Sequence, residues 1–227
     1  MRLLAPKLLT EFAGTFVFFS VIGLAGQAGP FGPLAVGLSL MAMVYMGGHV
    51  SGAHYNPAVS FGLFLRRIIP AQTMLAYWVV QLIAGVVAFV FAHAVSGRAT
   101  GIHPSVGWAA ALGTEIVFTA ALVLVVLNVA ATKQTAGNSF YGLAIGMTVA
   151  AGAFVAGPLS GAAFNPAVGI GAVISSAAFG SGSWSDLWLY LVGPLVGAAC
   201  AAGIHHFQTP ATATVEPEKS EATRATT

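Results

Sequence analysis

The residues whose types and spacing bear on chemistry lie in two copies of one phrase. The first runs Ser51-Gly52-Ala53-His54-Tyr55-Asn56-Pro57-Ala58-Val59, and the second Ser160-Gly161-Ala162-Ala163-Phe164-Asn165-Pro166-Ala167-Val168. Seven of nine positions match at a distance of 109 residues, and each copy follows a long apolar run. Asparagine is a natural helix N-cap, and proline fits the first helical position, where its missing N–H has no partner to lose. Asn56-Pro57 and Asn165-Pro166 therefore each open a helix. Glycine-rich backbone before them exposes carbonyl oxygens as acceptors for a passing solute. This is the chemistry of recognition and passage. The chain offers no Ser/His/Asp set, Cys/His metal cluster or phosphate loop, so an enzyme is not expected, nor any cofactor or metal.

The elements that position these phrases follow from composition. Of 227 residues, 57% are hydrophobic and 6% charged, against about 25% charged in soluble domains. Charge is confined to a few places: between Lys7 and Arg66 only Glu11 intervenes, and none lies between Lys133 and Asp186. A bilayer core of about 30 Å needs about 20 apolar residues per helix. Spans are predicted at roughly 8–26, 34–50, 71–94, 107–130, 139–156 and 186–207. The whole is an all-α channel domain over 1–207, with repeats at about 8–95 and 107–207, and a disordered tail at 208–227 rich in Thr, Ala, Glu and Pro.

Shifting by 109 also places Val36-Gly37 on Ile145-Gly146, and Thr10-Glu11 resembles Thr114-Glu115. Three spans per half is an odd number, so the halves are inverted repeats, which build sites at the midplane where they meet. The apolar stretch after Asn56 ends at Arg66-Arg67, and that after Asn165 ends near Ser176. Each is too short to span and makes a re-entrant half-helix, so the two meet N-terminus to N-terminus. The segments Gly48–Tyr55 and Gly157–Phe164 are expected to be irregular backbone at membrane depth, tolerated only where buried or lining a water-filled cavity.

With six spans, Arg2, Lys7, Arg66, Arg67, Lys133, Lys219 and Arg224 fall on one side and only Arg98 on the other. The positive-inside rule then puts both termini in the cytoplasm of a multi-pass cell-membrane protein. The first apolar run is read as a retained span. Cys200, the single cysteine, reads as a small buried residue of the last span.

Six spans in two inverted halves, each with Asn-Pro-Ala opening a half-helix, resemble the aquaporin (major intrinsic protein) family over about residues 8–207. The doubled motif Asn56-Pro57-Ala58 and Asn165-Pro166-Ala167 is highly specific. The resemblance implies a right-handed bundle with one pore per subunit, assembled as a homotetramer in membrane lipid. It passes small neutral solutes and binds no nucleic acid. Asn56 and Asn165 would donate side-chain N–H groups to the solute, and the positive ends of the half-helices would repel cations. Glu11 and Glu115 match the family's buried glutamates, and His49 its histidine before the first loop.

One departure is prominent. Most family members carry arginine directly after the second Asn-Pro-Ala, where this chain has Val168. Read against the family pattern, the other outer-filter positions are Val36, Ala153 and Ala162, where water-selective members place an aromatic and a histidine. Losing a ring, an imidazole and a guanidinium should widen and dry the constriction. Glycerol, urea and metalloid hydroxides such as arsenous acid become candidate solutes. Glycerol-conducting members usually follow the arginine with aspartate, and Gly169 stands there instead.

Structural readings compete with the sharper ones. Asn56 and Asn165 can cap and donate together. Glu11 and Glu115 could relay protons, but one copy per half favours carboxylates that accept N–H groups from a re-entrant loop. His49 and His54 could gate with pH or brace a loop, and bracing is preferred. The rivals to a passive channel are a strict water channel and an ion-coupled secondary transporter, which also uses inverted repeats.

Overall fold

The computed structural model describes residues 4–180, 182 and 184–209; nearly all of the expected tail lies outside them. Eight α-helices carry the fold: α1 (Leu4–Leu24), α2 (Gly32–Ser51), α3 (Pro57–Leu65), α4 (Ala71–Ser96), α5 (Trp108–Val126), α6 (Tyr141–Ser160), α7 (Pro166–Phe179) and α8 (Leu187–Gln208). Between α1 and α2 the chain passes through a 3-10 turn, Ala25–Phe31, and leaves helical geometry at Gly29, whose φ of 54° and ψ of −129° only glycine adopts freely. That kink turns 48 residues into two crossings, so α1, α2, α4, α5, α6 and α8 are the six long apolar helices.

Their outward faces suit lipid. On α4, Leu75, Val79, Ile83 and Val87 recur every fourth residue and are all exposed, a stripe no aqueous surface would favour. With lipid outside, association depends on close packing of small residues more than on expelling water. α2 meets α6 at Gly37 and Gly146, where a Cβ on Gly37 would lie 2.5 Å from the Gly146 carbonyl oxygen. α8 crosses α5 at Gly193 and Gly197, where a Cβ on Gly197 would lie 2.5 Å from the Ile116 carbonyl oxygen. The half-helices exchange partners: α3 packs on α8 of the other half, and α7 on α4.

Three boundaries differ from expectation. α2 and α6 continue to Ser51 and Ser160, so the irregular segments are only residues 52–56 and 161–165. Each helix ends where glycine permits a left-handed turn: Gly52 and Gly161 both have φ 90°, and their N–H groups bond Gly48 and Gly157 carbonyls at 3.1 and 3.2 Å. α7 runs 14 residues to Phe179, past Ser176, because its C-terminal half packs on α4. Cys200 is exposed on α8, not buried.

Candidate functional site: a midplane pore

Both half-helices begin alike. Asn56 is extended (φ −158°, ψ 119°), as is Asn165 (φ −158°, ψ 114°). Asn56 Oδ1 accepts the Ala58 N–H at 2.8 Å, and Asn165 Oδ1 accepts the Ala167 N–H at 3.0 Å. Each amide nitrogen then reaches into the other half. Asn56 Nδ2 donates to the Phe164 carbonyl and Asn165 Nδ2 to the Tyr55 carbonyl, both at 2.9 Å. An amide nitrogen carries two hydrogens, so each asparagine keeps one N–H free. Both line a midplane chamber of about 30 Å³ with Leu40, Val59, Leu122, Val126, Ile145 and Val149.

The loops leading to these caps are strained and held from behind. Ala53, Tyr55, Ala162 and Phe164 all have φ between 48° and 52°, a region costing a non-glycine residue roughly 1–2 kcal/mol. Glu11 opposes that cost: it accepts Ser51 Oγ–H at 2.7 Å, the His54 N–H at 2.9 Å, the Tyr55 N–H at 2.8 Å and Gln81 Nε2–H at 2.9 Å. Glu115 accepts Ser160 Oγ–H at 2.7 Å, the Ala163 N–H at 3.1 Å and the Phe164 N–H at 2.8 Å. A carboxylate accepting several donors is among the stronger hydrogen-bonded groups. Both glutamates are fully buried behind the loops. The carbonyls of Gly52, Ala53 and His54, and of Gly161, Ala162 and Ala163, bond nothing in the protein among the described residues, and these residues border the midplane chamber or the outer cavity, apart from Gly52.

Several braces carried no sequence signal strong enough to single them out. Tyr77 Oη–H donates to the Ser51 carbonyl and Tyr190 Oη–H to the Ser160 carbonyl, each at 2.7 Å, at equivalent points of the two halves. Trp78 Nε1–H donates to the Pro57 carbonyl at 2.9 Å. Ser51 and Ser160 could have been found, since they open the twin phrase. The tyrosines could not, because each lies more than 20 residues from the loop it holds.

His49 is exposed on the last turn of α2 and makes no hydrogen bond among the described residues. The bracing histidine is His54: it is buried, lies 2.9 Å from Ser60 Oγ through Nδ1, and sits edge-on to Tyr77. The α2 register points position 49 outward, whereas the loop turns position 54 into the protein. Among the described residues no His/Cys/Asp/Glu cluster could hold a metal.

Val36, Ala153 and Ala162 line an outer cavity of about 510 Å³. Phe154, the neighbour of Ala153, is 46% exposed and does not line this cavity. Val168 does not line this cavity or the midplane chamber; it is 2% exposed, packed in the wall. A Cβ on Gly169 would collide with Cβ of Tyr190, so aspartate has no room at that position. Phe18, Val149 and Ala163 border both cavities and mark the neck between them.

Two inverted half-channels meeting at capped half-helices, with unpaired carbonyls beside a narrow chamber, define a membrane pore. The family model for major intrinsic proteins matches residues 4–205. The chain is 37% identical over 216 residues to the probable aquaporin TIP2-2 of Oryza sativa subsp. japonica, covering 88% of this chain and 85% of that one. It is 36% identical over 210 residues to the glycerol uptake facilitator protein-like 6 of Lactiplantibacillus plantarum, covering 86% and 94%. The aquaglyceroporin structure from Plasmodium falciparum superposes with a TM-score of 0.75 at 22% identity, over 89% of this chain and 95% of that chain. The chain belongs to the major intrinsic protein family, whose members are membrane channels rather than enzymes.

Proposed function

We propose a passive channel for water and small neutral solutes whose wide, apolar outer entrance admits solutes larger than water, with glycerol and metalloid hydroxides such as arsenous acid as the class. The observation that carries this is the outer cavity of about 510 Å³ lined by Val36, Ala153 and Ala162, with no charged or aromatic group at those positions. Selection then moves inward to Phe18, Val149 and Ala163 and to the two asparagines. There a solute exchanges water for the free Asn56 and Asn165 N–H groups and the loop carbonyls, so its desolvation is partly offset. The half-helix N-termini, with Asn56 and Asn165 at their caps, put positive potential at the same point and oppose cations.

A strict water channel is the second reading. It is favoured by the midplane chamber, whose 30 Å³ has room for about two water molecules. Stopped-flow on proteoliposomes comparing water, glycerol, urea and arsenous acid separates the two. Flux of the larger solutes above that of empty liposomes supports the wide entrance, and passage of water alone removes it. An ion-coupled transporter needs a midplane acid free to exchange ions, and the carboxylates of Glu11 and Glu115 are committed to the loops. Flux that saturates at low concentration and follows an ion gradient would favour that rival.

The channel is also proposed to sit in the cell membrane as a homotetramer with both termini cytoplasmic. The orientation rests on seven of eight Lys and Arg residues falling on the termini's side. Labelling of a cysteine placed at Arg98, the lone residue opposite, checks it: reagent confined to the outside should react there.

A further inference from the structure

We propose that the groove between the ends of α3, α5 and α8, on the face carrying the termini, binds an anionic phospholipid, its headgroup phosphate held by Arg66, Arg67 and Lys133. The groove is a cavity of about 790 Å³ and shares no lining residue with the midplane chamber or the outer cavity. The site is independent of which solute the pore passes.

The backbone presents these cations at some cost. α3 ends in a Schellman-type turn: the Arg67 N–H bonds the Phe64 carbonyl at 2.8 Å and the Ile68 N–H bonds the Leu63 carbonyl at 2.9 Å. The residue in the left-handed conformation of such a turn is usually glycine. Here it is Arg67, with φ 58°. Arg66, the C-cap, is held by neutral acceptors. Its Nε–H donates to His205 Nδ1 at 2.9 Å, Nη1 lies 2.9 Å from His206 Nδ1, and Nη2–H donates to Thr209 Oγ1 at 3.2 Å. His205 accepts at Nδ1, so this network leaves its proton on Nε2, directed at Thr132 Oγ1 2.9 Å away; that hydroxyl in turn donates to the Leu127 carbonyl at 2.8 Å. The guanidinium is thus fixed in orientation while its charge meets no carboxylate.

Arg67 and Lys133 are exposed and have no side-chain partner among the described residues. Among the described residues no aspartate or glutamate lines the groove. Among the described residues, three cations therefore line the groove without a counter-ion. Beside the polar Thr132, Gln134, His205, His206 and Thr209, part of the lining is apolar, including Leu65, Ile68, Ala199 and Ala202, with Leu65 and Ile68 themselves exposed beside the arginines. A soluble phosphate would use the charges and leave that wall wet. An amphiphile uses both: acyl chains lie along Leu65 and Ile68, and the phosphate reaches Arg67 and Lys133.

The test titrates the full chain in detergent with dihexanoyl phosphatidylglycerol, dihexanoyl phosphatidylcholine and inorganic phosphate, counting bound molecules by native mass spectrometry. Phosphatidylglycerol should bind more tightly than phosphatidylcholine. Arg67→Gln and Lys133→Gln should each weaken it about five-fold, the effect of one cation near an anionic headgroup. Neither substitution removes a side-chain hydrogen bond, so thermal unfolding and water flux should stay unchanged. Lys7→Gln, near the start of α1 on the same face, should not weaken binding. An equal loss from Lys7→Gln would reduce the effect to general surface charge and overturn the site. The absence of headgroup preference would overturn it as well. Displacement by inorganic phosphate at equal concentration would make it a soluble-anion site and reject the lipid.

Discussion

At the scale of single residues, the proposed wide entrance is tested at Val168. It is 2% exposed and lies outside the lining of the cavity bordered by the other expected filter residues, Val36, Ala153 and Ala162. Val168→Arg places a long cationic side chain where only a methyl pair now packs. It should lower glycerol and arsenous acid flux relative to water by about ten-fold or more, in the range that pocket shape alone discriminates. Stopped-flow with matched protein density reads the ratio. An unchanged ratio would place selection wholly at the Phe18 neck. Gly169 carries a second residue-scale expectation. Gly169→Asp collides with Tyr190 Cβ and should destabilise the fold by about 1–3 kcal/mol, as overpacking does, seen as a lower thermal midpoint in detergent.

At the scale of elements, each half-helix depends on a carboxylate and a tyrosine behind its loop. The Tyr77 and Tyr190 hydroxyls make equal bonds of 2.7 Å to equivalent carbonyls. Tyr77→Phe and Tyr190→Phe should therefore cost similar amounts, about 1 kcal/mol each for one lost hydrogen bond. The glutamates are not equivalent. Glu11 receives an additional bond from Gln81, for which the second half offers no counterpart among Glu115's partners. Gln81→Leu should thus loosen only the first loop, detectable as faster hydrogen exchange at His54 and Tyr55 with Ala163 and Phe164 unaffected. Much of this was legible in sequence: the caps, the prolines, the glutamates and the short helices all follow from residue type and spacing. The exact reach of α2 and α6 was not, because a glycine-rich run is compatible with either a loop or a helix until packing chooses.

At the scale of the molecule, the two halves lock through their centre. Each asparagine bonds a carbonyl of the opposite loop, and each half-helix packs on the last span of the opposite half. Positive potential at the midplane is therefore built into the fold, whereas the charge expected at the outer entrance is missing. In the proposed channel, exclusion of protons and cations is assigned to Asn56, Asn165 and the half-helix ends. Val168→Arg should lower any residual proton leak in liposomes at equal water flux; equal conductance would mean that the midplane barrier is already sufficient.

Sequence alone determined the class of this protein. A chain with 6% charge and a doubled, inverted phrase has few ways to satisfy its backbone in lipid. Those constraints are local or periodic, so they can be read from spacing. The tertiary structure decided matters that depend on where a side chain points. It put His54 rather than His49 against the buried network, sent Val168 into the wall, gave Tyr190 the space beside Gly169, and set Phe18 against both cavities. Such outcomes depend on helix rotation and on neighbours far away in the chain, which no spacing encodes.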